Sequence, residues 1–513
     1  MQTANRVALN TTVQYAQLVL NVLIGLYSVR VILNALGASD YGIYDLIAGV
    51  VSLLSFISSS LAQTSMRFLS VSLGKGDNSK TAHTFSICFW LHLYIALFLV
   101  TTLFVLGFFL FDSFLNIPTE RIGTARILYY TMSFGLFLNI SITPFKAMIA
   151  AHEKFVYISC VEILDSLCKL GIAFIISVTM WDKLLFYGLL MLGVIIVNVF
   201  CYVLFTTIKY REKISLRRAS VSKMKEVTGF AGWTLLDVLG SVATRQGYAI
   251  LLNAFFGTVT NAVFALARQF EGHMYTISVS VINTMKPQIM KSLGAGDTNR
   301  MFRLSLTAGK FGFSMMSLVA IPLLVMMPEI LTLWLKEVPE GTVLFSRLMV
   351  TACMFEQLTK GLVHANQALG NIKWFSITIS TIRILALPIS WLFFHYGAPA
   401  YVAIVVFLFC ETIGSFSRVF ILSKISEFET MNFVKSVLLQ LLPPFIISLV
   451  VCIFSYHYSK GIWEMLLVCL ITISTYGALL LALGLTKEEQ ITIVGLLISL
   501  SRGKLSSFLD KIN

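Results

Sequence analysis

Ionisable side chains interrupt the apolar stretches of this chain at spacings that could do chemistry. Arg245 and Arg268 stand in mid-stretch with Asp237 and Glu271, and Arg30 and Asp45 occupy comparable places earlier. A guanidinium offers a planar fork of donors that meets phosphate or carboxylate bidentately, so arginines at such depth suit an anionic ligand. Arg268 and Glu271, three residues apart, could also pair on one helical face. A second set joins acids to lysine: Glu162, Asp165 and Lys169 share a face at i, i+3 and i+7, and Glu356 and Lys360 stand at i and i+4, followed by His364. Two readings are open for this set. The groups are internal ion pairs that fix helix packing, or a proton or cation relay, because a membrane carboxylate beside a lysine can change protonation.

The remaining mid-stretch charges are Arg67, Arg126, Lys310, Arg383, Glu411 and Arg418. Each charge costs ~2.5–3.5 kcal/mol near the centre of a membrane helix, so the majority must pair or line water. Depth separates them: Arg67 and Arg418 fall near inner helix ends, Arg30 and Arg126 near outer ends, and snorkelling to the interface competes there with function. One more polar pattern is present. Asn10, Gln14, Gln17, Asn21 and Ser28 recur at helical spacing as a single stripe, which is expected to face water, and Arg30 with Asn34 points away from it.

The elements that must hold these groups are membrane helices. Of 513 residues, 57% are hydrophobic and 12% charged, whereas soluble domains run near ~25% charged. Fourteen apolar spans are read near 9–35, 41–71, 83–111, 122–145, 155–179, 184–208, 227–255, 260–288, 304–328, 343–368, 374–396, 399–422, 433–456 and 462–484. Each is long enough to cross a ~30 Å hydrocarbon core as a helix, and the spans lack the dyad alternation of barrel strands. Their basic residues orient them. With the N-terminus in the cytoplasm, the inner segments hold 23 Lys and Arg and the outer loops 5 (Arg121, Lys183, Lys336, Arg347 and Lys460), a positive-inside bias. The net charge of +13 then reads as inner-leaflet anchoring rather than nucleic-acid binding. No cleaved signal peptide is expected, because Met1 to Asn10 lacks an apolar core and a small-residue cleavage site.

An internal duplication sets the architecture. Ser72-Leu-Gly-Lys-Gly-Asp-Asn-Ser-Lys80 returns 220 residues later as Ser292-Leu-Gly-Ala-Gly-Asp-Thr-Asn-Arg300, and Leu33-Asn34-Ala35 and Lys154-Phe155 return at an offset of 219. Both basic copies fall on the cytoplasmic side, which requires an even number of crossings per repeat. The expected fold is therefore an all-α polytopic membrane protein with two parallel six-helix lobes and two extra C-terminal helices. Its parts are a lobe at 1–208, a basic linker at 209–226, a lobe at 227–424, helices 13 and 14 at 425–484, and an amphipathic cytoplasmic tail at 485–513. By this alignment Arg245 and Arg268 lie within about a turn of the positions equivalent to Arg30 and Asp45. A hydrated cavity between the lobes would account for charge at matching depth in both.

Other chemistry is excluded by what is missing. The eight cysteines all lie in apolar stretches with no CxxC, which favours packing thiols over a disulfide or metal site. No Walker A, GxSxG or HExxH pattern occurs, the seven histidines do not cluster, and no outer loop is long enough for a catalytic domain. No enzyme, catalytic residue, cofactor or metal is expected, and the energy source would be an H+ or Na+ gradient, the substrate gradient or a partner.

Arg30-Val-Ile-Leu-Asn-Ala-Leu-Gly-Ala-Ser-Asp-Tyr-Gly-Ile-Tyr44, Ser65-Met-Arg-Phe-Leu-Ser70 and Leu73-Gly-Lys-Gly-Asp77 resemble the Wzx-type polysaccharide (O-antigen) flippases of the MOP exporter superfamily. The resemblance is strong over roughly residues 5–155, and Gly-x-x-Asp-Tyr-Gly-x-Tyr is its most specific part. It implies alternating access in a bacterial inner membrane, where the positive-inside bias puts both termini in the cytoplasm. The implied cargo is an undecaprenyl-diphosphate-linked oligosaccharide moved from the inner to the outer leaflet for surface polysaccharide synthesis. The implied partners are membrane lipids and the polysaccharide polymerase and chain-length machinery. Arg30, Arg245 and Arg268 best fit the cationic cavity of such a protein. A cation-coupled multidrug exporter of the same superfamily is the alternative, and it would favour acids over bases in its cavity.

Overall fold

Single glycines turn the longest helices of this protein. The computed structural model describes residues 2–490 apart from 53, 114–116, 212–220, 336–337, 460 and 488. Helix α1 (Gln2–Ser52) bends at Gly37, where φ is 78° and ψ 164°, and α7 (Val221–Gly294) bends at Gly257, where φ is 81° and ψ −173°. Side chains with a Cβ resist this backbone region, so glycine is what permits a reversal without a loop. The turn between the stretches read at 9–35 and 41–71 is thus shorter than their spacing suggests, since Asp40 already belongs to the helix after Gly37. The two bends are 220 residues apart, as are the positive-φ glycines Gly76 and Gly296, so the duplicated sequence carries duplicated backbone geometry.

The remaining helices are α2 (Ser55–Gly74), α3 (Asn78–Ser113), α4 (Ile122–Ala151), α5 (Phe155–Val178), α6 (Lys183–Lys209), α8 (Thr298–Val325), α9 (Met327–Leu335), α10 (Thr342–Leu369), α11 (Lys373–His395), α12 (Val402–Ile425), α13 (Thr430–Phe433), α14 (Leu439–His457) and α15 (Ile462–Leu479). No strand occurs among the described residues. Ten stretches are long and apolar enough to cross a membrane. Dividing the 72-residue stretch Lys223–Gly294 at Gly257, and adding α2, α5 and α10, gives the expected fourteen among the described residues. Those three additions carry Arg67, the Glu162–Asp165–Lys169 set, and Arg347 with Glu356 and Lys360. The chain is a multi-pass membrane protein. Half of the expected linker 209–226 and most of the expected tail 485–513 lie outside the described residues.

Two compact units divide the chain: Thr12–Val238, and Met1–Thr11 with Leu239 onward. In the first, α4 touches α2, α3, α5 and α6. Arg121 fastens one end of this unit, donating to Asp40 at 2.6 Å and to Asp182 at 3.0 Å, while Asp182 also caps α6 through the Leu184 and Leu185 N–H groups. Asp40 of the Gly-x-x-Asp-Tyr-Gly segment therefore has a structural duty. Asp77 caps α3 by accepting the Lys80 N–H at 3.1 Å, and Asp297 caps α8 by accepting the Arg300 N–H at 2.9 Å. The Asp77 carboxyl is held below its ordinary range, first by that backbone N–H and then by the Lys80 side chain.

In the second unit α8 packs against α10, α14 and α15. The crossing of α8 and α10 is close: a Cβ on Gly361 would lie 2.0 Å from the Ser305 carbonyl oxygen and 2.7 Å from the Gly309 nitrogen. Neither backbone group can rotate away, so the helices meet only while Gly361 is bare. Helices α14 and α15 pack on α8, and charge ties α8 to α14 and to the segment after α15. Lys310 of α8, 3% exposed, donates at 2.6 Å to Gln440 of α14 and at 2.6 Å to Glu489 beyond α15. Glu489 in turn accepts the Thr486 N–H at 2.8 Å, which shapes the turn that delivers it.

Two outcomes are expected from this packing. Gly361→Val should separate α8 from α10 and lower stability by about 3 kcal/mol or more, read as a fall in the thermal midpoint of detergent-purified protein. Glu489→Ala should cost about 3 kcal/mol by stranding the Lys310 ammonium, and adding Lys310→Met should restore much of that loss. Unchanged midpoints would show that the crossing tolerates a side chain, or that Lys310 is satisfied elsewhere.

Candidate functional site

The bend at Gly257 folds α7 into a hairpin, so residues at similar distances on either side of it come together. Arg245 lies twelve residues before the bend and Glu271 fourteen after, and Arg245 Nη2 meets Glu271 Oε1 at 2.8 Å. At 1.5 Å per residue this pair stands about 18–21 Å from the bend, well inside a ~30 Å hydrocarbon core. Its two sides differ in access, the Glu271 side chain being 4% exposed and that of Arg245 35%. The expected Arg268–Glu271 pairing is replaced by this one. Arg268 is half-buried with its guanidinium 5.8 Å from the Phe264 ring centre. Four residues is one turn of the same helix, which sets the cation beside that ring.

Three neighbouring helices build a second cluster around one carboxylate. Glu356 of α10 pairs with Lys360 one turn on at 2.7 Å, with Arg383 of α11 at 3.2 Å and with Arg418 of α12 at 3.6 Å. Arg383 also meets Glu411 of α12 at 2.7 Å, and Arg418 donates to the Glu356 carbonyl at 3.3 Å and to Thr359 Oγ1 at 3.2 Å. Lys360 rests 5.2 Å from the Tyr275 ring centre, which ties this cluster back to α7. Arg245 is within electrostatic reach of Glu356 and Arg383. Three acids, Glu271, Glu356 and Glu411, thus serve four cations in ion pairs, and Arg268 stands beside them. The balance is positive.

Sequence reasoning singled out Arg245, Glu271, Glu356 and Lys360 as site residues and counted Arg383, Glu411 and Arg418 only among the mid-stretch charges. The available signal was charge inside an apolar stretch, Arg383 in 374–396 and Glu411 with Arg418 in 399–422. Arg418 was expected to snorkel; at 2% exposed it is instead sealed against Glu356 and Thr359. Arg67 does not snorkel freely either, because its guanidinium lies 4.4 Å and 4.6 Å from the rings of Phe68 and Phe230. Position along a helix gave depth, and only the neighbouring helices decide whether that depth is sealed.

The first unit holds the other expected set. Asp165 pairs with Lys169 at 2.7 Å and accepts from Asn198 at 2.7 Å, while Glu162 accepts from Lys146 at 2.5 Å and from Gln17 at 2.5 Å. Ser166 donates to Asn21 at 2.9 Å. The α1 stripe is thereby corrected: Gln17 and Asn21 pack on the polar face of α5, and Asn10 and Ser28 are buried rather than turned to water. Gln17 and Asn21 find their partners on a facing polar stripe, which a single-helix pattern cannot reveal, while the buried Ser28 hydroxyl has none among the described residues. Arg30 and Asp45 are exposed on α1, either side of Gly37, and Asp237 is half-buried on α7. No group of His, Cys, Asp and Glu among the described residues could hold a metal ion.

No family model and no curated protein sequence matches the chain. Solved structures do match its fold. A multidrug resistance MATE family transporter of the MOP superfamily, in an outward-facing conformation, superposes with TM-score 0.69 at 14% identity, over 82% of this chain and 93% of that one. A mutant of a Vibrio cholerae MATE transporter gives TM-score 0.69 at 16% identity over 84% and 98%. A MOP superfamily transporter from Pyrococcus furiosus, described as having a binding pocket of reverse polarity, gives TM-score 0.66 at 12% identity over 84% and 96%. At these identities the likeness is one of fold, and the fold is that of the MOP superfamily transporters.

The two arginine-bearing clusters should respond differently to truncation. Glu356→Ala leaves Lys360, Arg383 and Arg418 to repel one another in an apolar interior, an expected loss of about 3–5 kcal/mol visible as reduced yield and thermal midpoint. Arg268→Ala, which removes a half-buried group, should leave the midpoint nearly unchanged. Equal stability of both variants would show that Glu356 is not the anchor of its cluster.

Proposed function

We propose that this protein is a membrane transporter that moves an anionic, lipid-linked oligosaccharide, carried on undecaprenyl diphosphate, from the inner to the outer leaflet of a bacterial inner membrane. The observation that carries this reading is the positive balance of the buried charge in the second unit. Four paired cations, Arg245, Lys360, Arg383 and Arg418, face three acids, and Arg268 lies half-buried beside them. A diphosphate carries at least two negative charges, and guanidinium forks bind such oxygens strongly at low dielectric. Arg245 and Arg268 retain the access a headgroup needs, while the polyprenyl tail can remain in lipid. Arg30, exposed on α1 of the other unit, is proposed as a headgroup contact on the sequence resemblance alone.

The acids Glu271, Glu162 and Asp165, with their partners Lys169 and Lys146, are assigned to fixing helix positions and to any coupling to H+ or Na+. The Glu356–Lys360 pair belongs with them. A carboxylate shared between an internal cation and a passing ion is a common means of coupling. The fold by itself also accommodates multidrug export, the activity named for one structural neighbour. The polarity of a cavity on this fold varies, since another neighbour is described as having a pocket of reverse polarity.

The test uses the full chain in proteoliposomes with a fluorescent sugar on polyprenyl diphosphate. Transbilayer movement is expected in the wild type, with a loss on the order of tenfold or more in Arg268→Ala and in Arg245→Ala paired with Glu271→Gln, which avoids stranding the acid. Drug–ion antiport with no movement of the lipid-linked sugar would replace this reading with that of an exporter.

A further inference from the structure

One buried cation in the second unit lacks a counter-charge. Lys286, in α7 immediately before Pro287, is 7% exposed. Among the described residues its side chain forms no hydrogen bond or ion pair, and the one charge that acts on it, Lys360, is of the same sign. The acids that might have served it are committed: Glu271 to Arg245, Glu411 to Arg383, and Glu356 to Lys360, Arg383 and Arg418. Its electrostatic neighbours make its position harder. Lys360 and His364, both on α10, lie within reach of its charge. Lys360 repels it, and His364 spends Nδ1 on the Gln367 Oε1 atom at 3.2 Å.

A largely buried ammonium within electrostatic reach of a second ammonium is costly unless an anion arrives from outside the chain. A purely structural residue at that place would be a methionine or leucine, which fills the volume without the charge. Lysine is also an effective phosphate binder as a compact point charge. We propose that Lys286 is a docking point for a phosphate or diphosphate group, with His364 of α10 within reach of its charge. The proposal rests on the reading of the protein as a carrier of diphosphate-bearing lipid, and it adds a phosphate contact separate from Arg245 and Arg268. The same chemistry could come from a lipid headgroup or from an anion in solution.

The experiment uses the full chain in nanodiscs of zwitterionic lipid, with two probes: inorganic pyrophosphate in solution and polyprenyl diphosphate in the disc. Both binding and the thermal midpoint are read for wild type, Lys286→Met and Lys286→Arg. Without probe, Lys286→Met should be more stable than wild type, because it removes an uncompensated charge. With probe it should bind weaker by on the order of tenfold, and Lys286→Arg should keep affinity within that factor. A response to both probes assigns the site to the phosphate group alone; a response only to the lipid adds a requirement for the tail. The proposal is overturned if wild type binds neither probe, if Lys286→Met binds as wild type does, or if Lys286→Met destabilises the probe-free protein as loss of a structural partner would. Binding without transbilayer movement of lipid-linked sugar would keep the docking point and remove the transport reading. Transport without binding would do the reverse.

Discussion

A single carboxylate, Glu356, holds three cations from three helices inside an apolar unit, and the second half of the protein is organised around it. Lys360 comes from its own helix α10, Arg383 from α11 and Arg418 from α12. Charges of this kind oppose membrane insertion individually, and mutual neutralisation is what makes them tolerable. Such a cluster also constrains motion. The three helices can slide only as far as the ion pairs stretch, so they are coupled more strongly than apolar packing alone would require.

The surrounding architecture exists to bring those groups within reach. Gly257 lets α7 double back, so that Arg245 and Glu271 meet across the hairpin. Gly361 lets α10 approach α8 at backbone distance and thereby sets the depth of Glu356 and Lys360, which lie on the turns just before it. Helices α14 and α15 then enclose α8, and Glu489 neutralises Lys310 from beyond the last helix. Each step solves the same problem. A polar group needed inside an apolar medium must find its partner within the chain.

Much of the plan was legible in the residues. Composition and span length pointed to a polytopic helical protein, and the Ser-Leu-Gly-x-Gly-Asp repeat anticipated geometry that recurs at Gly37 and Gly257 and at Gly76 and Gly296. Spacing also identified Glu356 with Lys360 and Asp165 with Lys169, because i,i+4 neighbours are determined by the helix alone. Pairs between helices were not legible. Arg268 looked like the natural partner of Glu271 and lost it to Arg245, twenty-six residues away; the α1 stripe looked wet, and its Gln17 and Asn21 bond to α5.

The sequence by itself determined the medium, the class of element and the inventory of charges that the membrane must accommodate, since hydropathy and helical period are local properties of the chain. Tertiary structure alone decided which charges are neutralised and which remain open. Arg418 is sealed, Arg245 stays accessible, and Lys286 lacks a counter-charge among the described residues, although all three are basic residues in apolar surroundings. The reason is physical: the cost of a buried charge depends on the groups within a few ångströms of it, and those arrive from helices distant in the chain.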